Sequence, residues 1–130
     1  MTVLCVDTNL IALYSLKTKV KKIMPEATVL VCRKTPEAIH LARNRGCDVL
    51  ISEIDFGSNK EEGIRLAEEI KALNPQVNII FVTAGSARDY AHQLVKVRYS
   101  GFLTKPFEFE ELKEELGNLR YPQAEVYQRV

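Results

Sequence analysis

The residues of this sequence that could carry chemistry are polar side chains that end or follow short apolar runs. They are Asp7, Thr8, Glu53, Asp55, Thr83 and Lys105. Paired carboxylates can serve as general acid and base, but no nucleophile–base pair accompanies Asp7 and Glu53. We therefore expect no enzyme on these residues and assign no catalytic one. The side chains are better explained as a binding site, since ligands gather where parallel strands end.

Nucleotide cofactors are not expected at these positions. A dinucleotide site needs a glycine-rich turn after the first strand, and Asp7-Thr8-Asn9-Leu10 contains no glycine. A phosphate-binding Walker loop is also absent from the sequence. A phosphate loop of the flavodoxin type would again require glycine and hydroxyls after the first strand.

The elements that must position these side chains alternate between strand and helix at steps of roughly 22–29 residues. Five helices follow five strands, and this alternation predicts a doubly wound α/β fold with a parallel sheet. The strand patterns are Val3–Val6, Ala27–Cys32, Val49–Ile54, Val77–Val82 and Phe102–Thr104. The helix patterns begin near Leu10, at Thr35 as the N-cap, before Ile64, at Arg88 (a weaker pattern, to Val97) and at Phe109.

Length and composition favour one ordinary globular domain. The chain has 130 residues, 46% of them apolar and 27% charged, and its net charge is +1. Without a concentrated basic excess we expect no direct nucleic-acid binding, and no apolar run is long enough for a membrane span. The three cysteines lack metal-ligand spacing, which favours a reduced, cytoplasmic protein. We expect one domain over residues 1–120 and a tail or linker over 121–130.

Four motifs in this order resemble the receiver domain of bacterial two-component response regulators, over Thr2 to about Arg120. The motifs are Val3-Leu4-Cys5-Val6-Asp7, Asp48-Val49-Leu50-Ile51-Ser52-Glu53, Phe81-Val82-Thr83-Ala84 and Phe102-Leu103-Thr104-Lys105-Pro106-Phe107. The resemblance implies a flavodoxin-like sheet in strand order 2-1-3-4-5, with the first and fifth helices on one face. It also implies a cis Lys105–Pro106 bond.

The resemblance further implies a role for each residue at the strand ends. In the family, an aspartate after the third strand accepts a phosphoryl group from a histidine kinase, and an acidic pair holds Mg²⁺. Glu53 stands at the acceptor position, while Asp7 and Thr8 stand at the acidic pair. Asp55 would offer a backbone carbonyl to the metal. Thr83 and Lys105 match the phosphoryl-binding residues, and Phe102 matches the aromatic switch.

Two departures from the family pattern affect phosphorylation. Glu53 is longer than aspartate by roughly 1.5 Å, and a misplacement near 1 Å can cost about 10²-fold in rate. Thr8 removes a formal charge from the metal site, so we expect weak Mg²⁺ binding and no other cofactor. The sequence therefore indicates a receiver-like domain that is poorly phosphorylated or not phosphorylated.

The expected partners follow from the same resemblance. They are a histidine kinase or other signalling protein, a fused output domain after Tyr121 that could bind DNA, and a second copy of the chain. Self-association would use the fourth helix, fifth strand and fifth helix. The alternative function is a constitutive dimerisation or docking module that uses the receiver fold without phosphorylation.

Overall fold

The computed structural model describes residues 1–120, which form a parallel sheet between two layers of helices. The expected tail at 121–130 lies outside the described residues. The strands are β1 (Thr2–Val6), β2 (Thr28–Cys32), β3 (Val49–Ser52), β4 (Asn78–Thr83) and β5 (Gly101–Thr104). The helices are α1 (Leu10–Ile23), α2 (Thr35–Arg45), α3 (Glu62–Leu73), α4 (Ala91–Leu94, after a 3₁₀ turn at Ala87–Tyr90) and α5 (Phe109–Gly117).

The sheet has the order β2-β1-β3-β4-β5, and all neighbouring strands are parallel. This confirms the flavodoxin-like order expected from the sequence. At the centre, Leu4 of β1 lies between Leu30 of β2 and Leu50 of β3. From β1 the chain crosses to β2 on one side of the sheet centre, and from β3 it crosses to β4 on the other side. The carboxyl ends of β1 and β3 therefore border an open cleft.

Each face of the sheet packs against its own set of helices, as the apolar alternation of the strands requires. In β1, Val3 and Cys5 point into a core shared with α1 and α5, whereas Leu4 and Val6 point into a core shared with α2, α3 and α4. The expected arrangement of helices is confirmed. Within residues 1–120, none of the helices combines the length and the apolar character that a membrane crossing requires.

The three cysteines are buried free thiols. Cys5 lies in the core under α1 and α5, and Cys32 and Cys47 lie in the core on the opposite face. Burial raises the pKa of Cys32 and of Cys47 to about 12, and it raises the pKa of Cys5 further. The thiols therefore stay protonated and behave as small apolar side chains.

The structure corrects two predicted boundaries near the site. Strand β3 ends at Ser52 rather than Ile54, because the N–H groups of Ile54 and Asp55 donate to the Glu53 side chain instead of to a neighbouring strand. The N-cap of α2 is Lys34 rather than Thr35, since Ala38 N–H already donates to the Lys34 carbonyl.

The fourth helix also differs from its predicted range of Arg88–Val97. A 3₁₀ turn over Ala87–Tyr90 precedes a single α-turn at Ala91–Leu94. A capping box between Ser86 and Asp89 starts this segment earlier than predicted. After Leu94, backbone bonds such as Lys96 N–H to the Gln93 carbonyl follow the tighter spacing of three residues, so the α-helix does not continue.

Candidate functional site

Lys105 joins the carboxyl ends of three strands through a single ammonium group. Its backbone N–H donates to the Thr83 carbonyl at 2.8 Å, which extends the pairing of β4 and β5 by one residue. The Lys105–Pro106 bond is cis, as the resemblance implied. Nζ donates to Asp7 Oδ2 at 2.7 Å and to Glu53 Oε1 at 3.0 Å. The predicted residues Asp7, Glu53 and Lys105 are thus in direct contact.

Both carboxylate oxygens of Glu53 have hydrogen-bond partners. Oε1 accepts from Lys105 Nζ, and Oε2 accepts from the N–H groups of Ile54 at 2.8 Å and Asp55 at 3.3 Å. The extra methylene of glutamate lets the side chain fold back onto its own backbone. Glu53 is only 9% exposed, so this arrangement replaces the water that the carboxylate loses.

The remaining residues of the predicted metal site are engaged locally. Asp7 Oδ1 accepts from Asn9 N–H at 2.9 Å, and Asn9 caps α1 by accepting from Ala12 N–H. The Thr8 carbonyl accepts from Arg33 Nε at 3.1 Å. Asp55 Oδ1 accepts from Gly57 N–H at 2.8 Å, which stabilises the turn after β3.

The electrostatics of the pocket favour a charged lysine. Burial alone would lower the pKa of Lys105, but the hydrogen bonds and charges of Asp7 and Glu53 outweigh it and the net shift is upward. Within residues 1–120, no group of three or more histidine, cysteine or acidic side chains is arranged to hold a metal ion. With one ammonium already between the two carboxylates, the residues fit Mg²⁺ poorly.

Thr83 and Phe102, the residues predicted for phosphoryl binding and switching, form no hydrogen bond with Asp7 or Glu53 within residues 1–120. Thr83 is 2% exposed, and its hydroxyl lies 3.4 Å from the hydroxyl of Tyr90 in the 3₁₀ turn. Phe102 is half-buried and packs against the core beneath α2, α3 and α4. Sequence reasoning missed the Tyr90 contact, because a tyrosine seven residues beyond a strand end carries no spacing signal.

Gly63 brings α3 against the end of β3. Its N–H donates to the Ile54 carbonyl at 2.9 Å, and a Cβ at this position would overlap the carbonyl oxygen of Glu53. The close approach of the two backbones therefore requires a glycine at position 63. The structure shows that it sets the backbone distance behind the Glu53 carboxylate.

Known proteins with similar sequences are named as transcriptional regulators. The chain is 39% identical over 70 residues to the transcriptional regulatory protein ZraR of Salmonella typhimurium, covering 54% of this chain and 14% of that protein. It is 28% identical over 86 residues to MalR of Bacillus subtilis, covering 66% of this chain and 36% of MalR. The chain therefore matches only a part of these longer proteins.

Solved structures share the fold at low identity. The chemotaxis protein CheY4 of Vibrio cholerae has a TM-score of 0.80 at 20% identity, over 92% of this chain and 98% of that chain. A response regulator of Thermotoga maritima has a TM-score of 0.76 at 22% identity, over 91% of this chain and 95% of that chain. The sequence evidence for the family is independent of these folds: the family model of the response regulator receiver domain matches residues 3–117. With nearly all of its described residues inside that match, the chain belongs to the response regulator receiver domains.

Proposed function

We propose that this chain is a signalling receiver domain that ordinary aspartyl phosphorylation does not switch. One observation supports this most strongly: the carboxylate at the acceptor position is Glu53, and both of its oxygens are hydrogen-bonded. An acceptor must present an oxygen to the phosphorus atom in line with the leaving group. The bonds from Lys105 and from the two backbone N–H groups hold the Glu53 carboxylate in an orientation that an incoming phosphoryl group does not set.

The Lys105 ammonium supplies the positive charge of the resting pocket. It lies between Asp7 and Glu53, the two carboxylates that a metal would otherwise draw together. The second acidic position is Thr8, a neutral residue, so the pocket has one net negative charge from these groups. A site that lacks one metal-binding carboxylate, and an acceptor carboxylate that is one methylene longer than aspartate, would each slow phosphoryl transfer.

We infer that the chain is the receiver part of a longer cytoplasmic regulator without enzymatic activity of its own. The similarity to transcriptional regulators such as ZraR and MalR favours an output domain that binds DNA. The partner on the input side would be a histidine kinase or another signalling protein that docks on the receiver. The output of the regulator would then depend on the docking of this partner rather than on phosphorylation of the receiver.

The test is the yield of phosphoprotein from a small acyl-phosphate donor with Mg²⁺, measured by intact mass. The wild type should be labelled little, and Glu53→Asp or Thr8→Asp alone should help modestly. The double variant should gain more than the product of the two single effects, because neighbouring groups on one step are not additive. Thr8→Asp with Glu53→Asn is the matched control that lacks an acceptor. Robust labelling of the wild type would overturn the proposal.

A constitutive docking or dimerisation module is the second candidate. It is favoured by apolar exposure beyond α4, where Val95 is 85% exposed and Tyr99 is 38% exposed. Exposed apolar side chains close together are typical of contact surfaces. The two candidates differ in how the variant with both Thr8→Asp and Glu53→Asp responds to the phosphoryl donor. A docking module keeps the same affinity for its partner with or without the phosphoryl group, whereas in a signalling receiver the phosphoryl group changes that affinity.

A further inference from the structure

We propose that Tyr90 is a positioning residue for Thr83 and connects the pocket to the α4 segment, which we define as residues 84–97. The inference rests on the proposed function in taking the chain as a receiver domain, with Thr83 at the predicted phosphoryl-binding position. The Phe102 ring has no hydroxyl and cannot form a hydrogen bond with Thr83. The inference assigns that hydrogen bond to Tyr90, which lies on a different element.

The contact between the two hydroxyls carries the inference. Thr83 Oγ1 and Tyr90 Oη lie 3.4 Å apart, a long hydrogen bond in which either can be the donor. Thr83 is only 2% exposed, so its hydroxyl has little access to water. Among the described residues, Tyr90 provides its one hydrogen bond. Turning Thr83 toward Lys105 therefore requires breaking the bond to Tyr90.

The loop before the 3₁₀ turn is shaped to admit the Tyr90 ring. A Cβ at Gly85 would lie 2.9 Å from Tyr90 Cε2, closer than side chains tolerate. The Gly85 carbonyl accepts from the Thr104 hydroxyl at 3.1 Å, and Ser86 N–H donates to Asp89 Oδ2 at 2.8 Å. These bonds fix the loop on both sides of the ring, so the position of Tyr90 is determined by its surroundings.

Tyr90 and Phe102 share one apolar environment but differ in chemistry. Both pack against the core beneath α2, α3 and α4. The Phe102 ring has no polar atom, so it can respond to Thr83 only through packing. The Tyr90 hydroxyl reports the position of the Thr83 hydroxyl directly, and its backbone lies where the 3₁₀ turn meets α4.

The first experiment measures amide hydrogen exchange over residues 84–97 of the full chain, without any phosphoryl donor. Tyr90→Phe and Thr83→Val each remove one hydroxyl at nearly constant shape. Each should speed exchange in this segment about threefold to tenfold, the effect of one lost hydrogen bond. The double variant should exchange no faster than either single variant. Tyr99→Phe, which removes a phenol hydroxyl from a ring packed on Phe81, is the matched control and should match the wild type.

A second measurement separates positioning from general loosening. In chain labelled with ¹³C at tyrosine, the Cζ resonance that disappears in Tyr90→Phe should move in Thr83→Val and return toward its wild-type position in Thr83→Ser. Gly85→Ala, which displaces the ring without removing a hydroxyl, should reproduce the Thr83→Val shift.

Unchanged exchange in Tyr90→Phe, multiplicative effects in the double variant, or a Cζ resonance that ignores Thr83→Val would each overturn the inference. Phosphoryl labelling of the wild type would overturn the proposed function alone, because neither measurement here uses Glu53 as an acceptor.

Discussion

At the residue scale, the pocket depends on one ammonium group between two carboxylates. Asp7 is 6% exposed and Glu53 is 9% exposed, so neither can recover its hydration when Lys105 is removed. Breaking a fully buried pair costs about 3–5 kcal/mol. The Lys105 side chain is 27% exposed, and we expect Lys105→Met to lower the free energy of unfolding by about 1–3 kcal/mol at neutral pH. Urea denaturation measures this difference.

Lys96→Met is the matched control, because Lys96 forms a surface pair with Glu61 at 3.7 Å. It should change the free energy of unfolding by less than about 0.5 kcal/mol. The contribution of Lys105 also has a defined pH range. Because its pKa is raised in the folded state, the contribution is complete below the ordinary lysine value of about 10.4 and is lost as the pH rises through the folded pKa. Equal effects of the two variants at neutral pH would contradict the prediction.

Mg²⁺ affinity tests the other departure at this scale. Thr8→Asp restores a carboxylate beside Asp7 and should strengthen Mg²⁺ binding at least about tenfold, since ligand charge sets the affinity of a hard cation. Thr8→Asn supplies an oxygen ligand without charge and should bind nearly as weakly as the wild type. Calorimetric titration compares the three proteins. If the wild type bound Mg²⁺ as tightly as Thr8→Asp does, the threonine at position 8 would not weaken the metal site and the prediction would be wrong.

At the element scale, the approach of α3 to β3 depends on the absence of one side chain. A Cβ at Gly63 would overlap backbone atoms of Glu53 and Ile54, which cannot rotate away. We expect Gly63→Ala to lower the free energy of unfolding by about 3 kcal/mol or more, as overpacking against backbone does. Gly117→Ala is the control: nothing lies within 4 Å of its Cβ position, so the change should be neutral or slightly stabilising. Thermal unfolding of both variants decides, and similar melting temperatures would contradict the prediction.

The elements themselves were largely predictable, because apolar strands and amphipathic helices are local patterns. The β-branched residues of Val77–Val82 predict a strand, and β4 lies within one residue of that range. The end of β3 was not predictable, since it depends on Glu53 taking the N–H groups of Ile54 and Asp55. The same holds for Tyr90, whose contact with Thr83 exists only once the loop is folded. Contacts made by folded loops have no sequence period.

At the scale of the whole molecule, self-association through α4, β5 and α5 stays a prediction. On this face, Tyr90 contacts Thr83, whereas Arg88, Lys96 and Arg98 are exposed. We expect a concentration-dependent dimer by sedimentation velocity, weakened by Arg98→Glu. Lys22→Glu on α1 carries the same charge reversal and should leave the dimer unchanged. A monomer at every concentration up to high micromolar would contradict the prediction for this chain.

The buried thiols on both faces of the sheet give the molecule a built-in chemical reporter. An alkylating reagent attacks the thiolate and needs access to it, and Cys5, Cys32 and Cys47 provide neither in the folded state. The rate at which Cys5 is modified therefore measures the opening of the core layer under α1 and α5. Modification of Cys47 times the opening of the opposite layer. If α4 loosens first, Cys47 will be modified faster than Cys5, because α4 packs on the layer that contains Cys47. A peptide digest that quantifies both modified cysteines compares the opening of the two layers without any added probe.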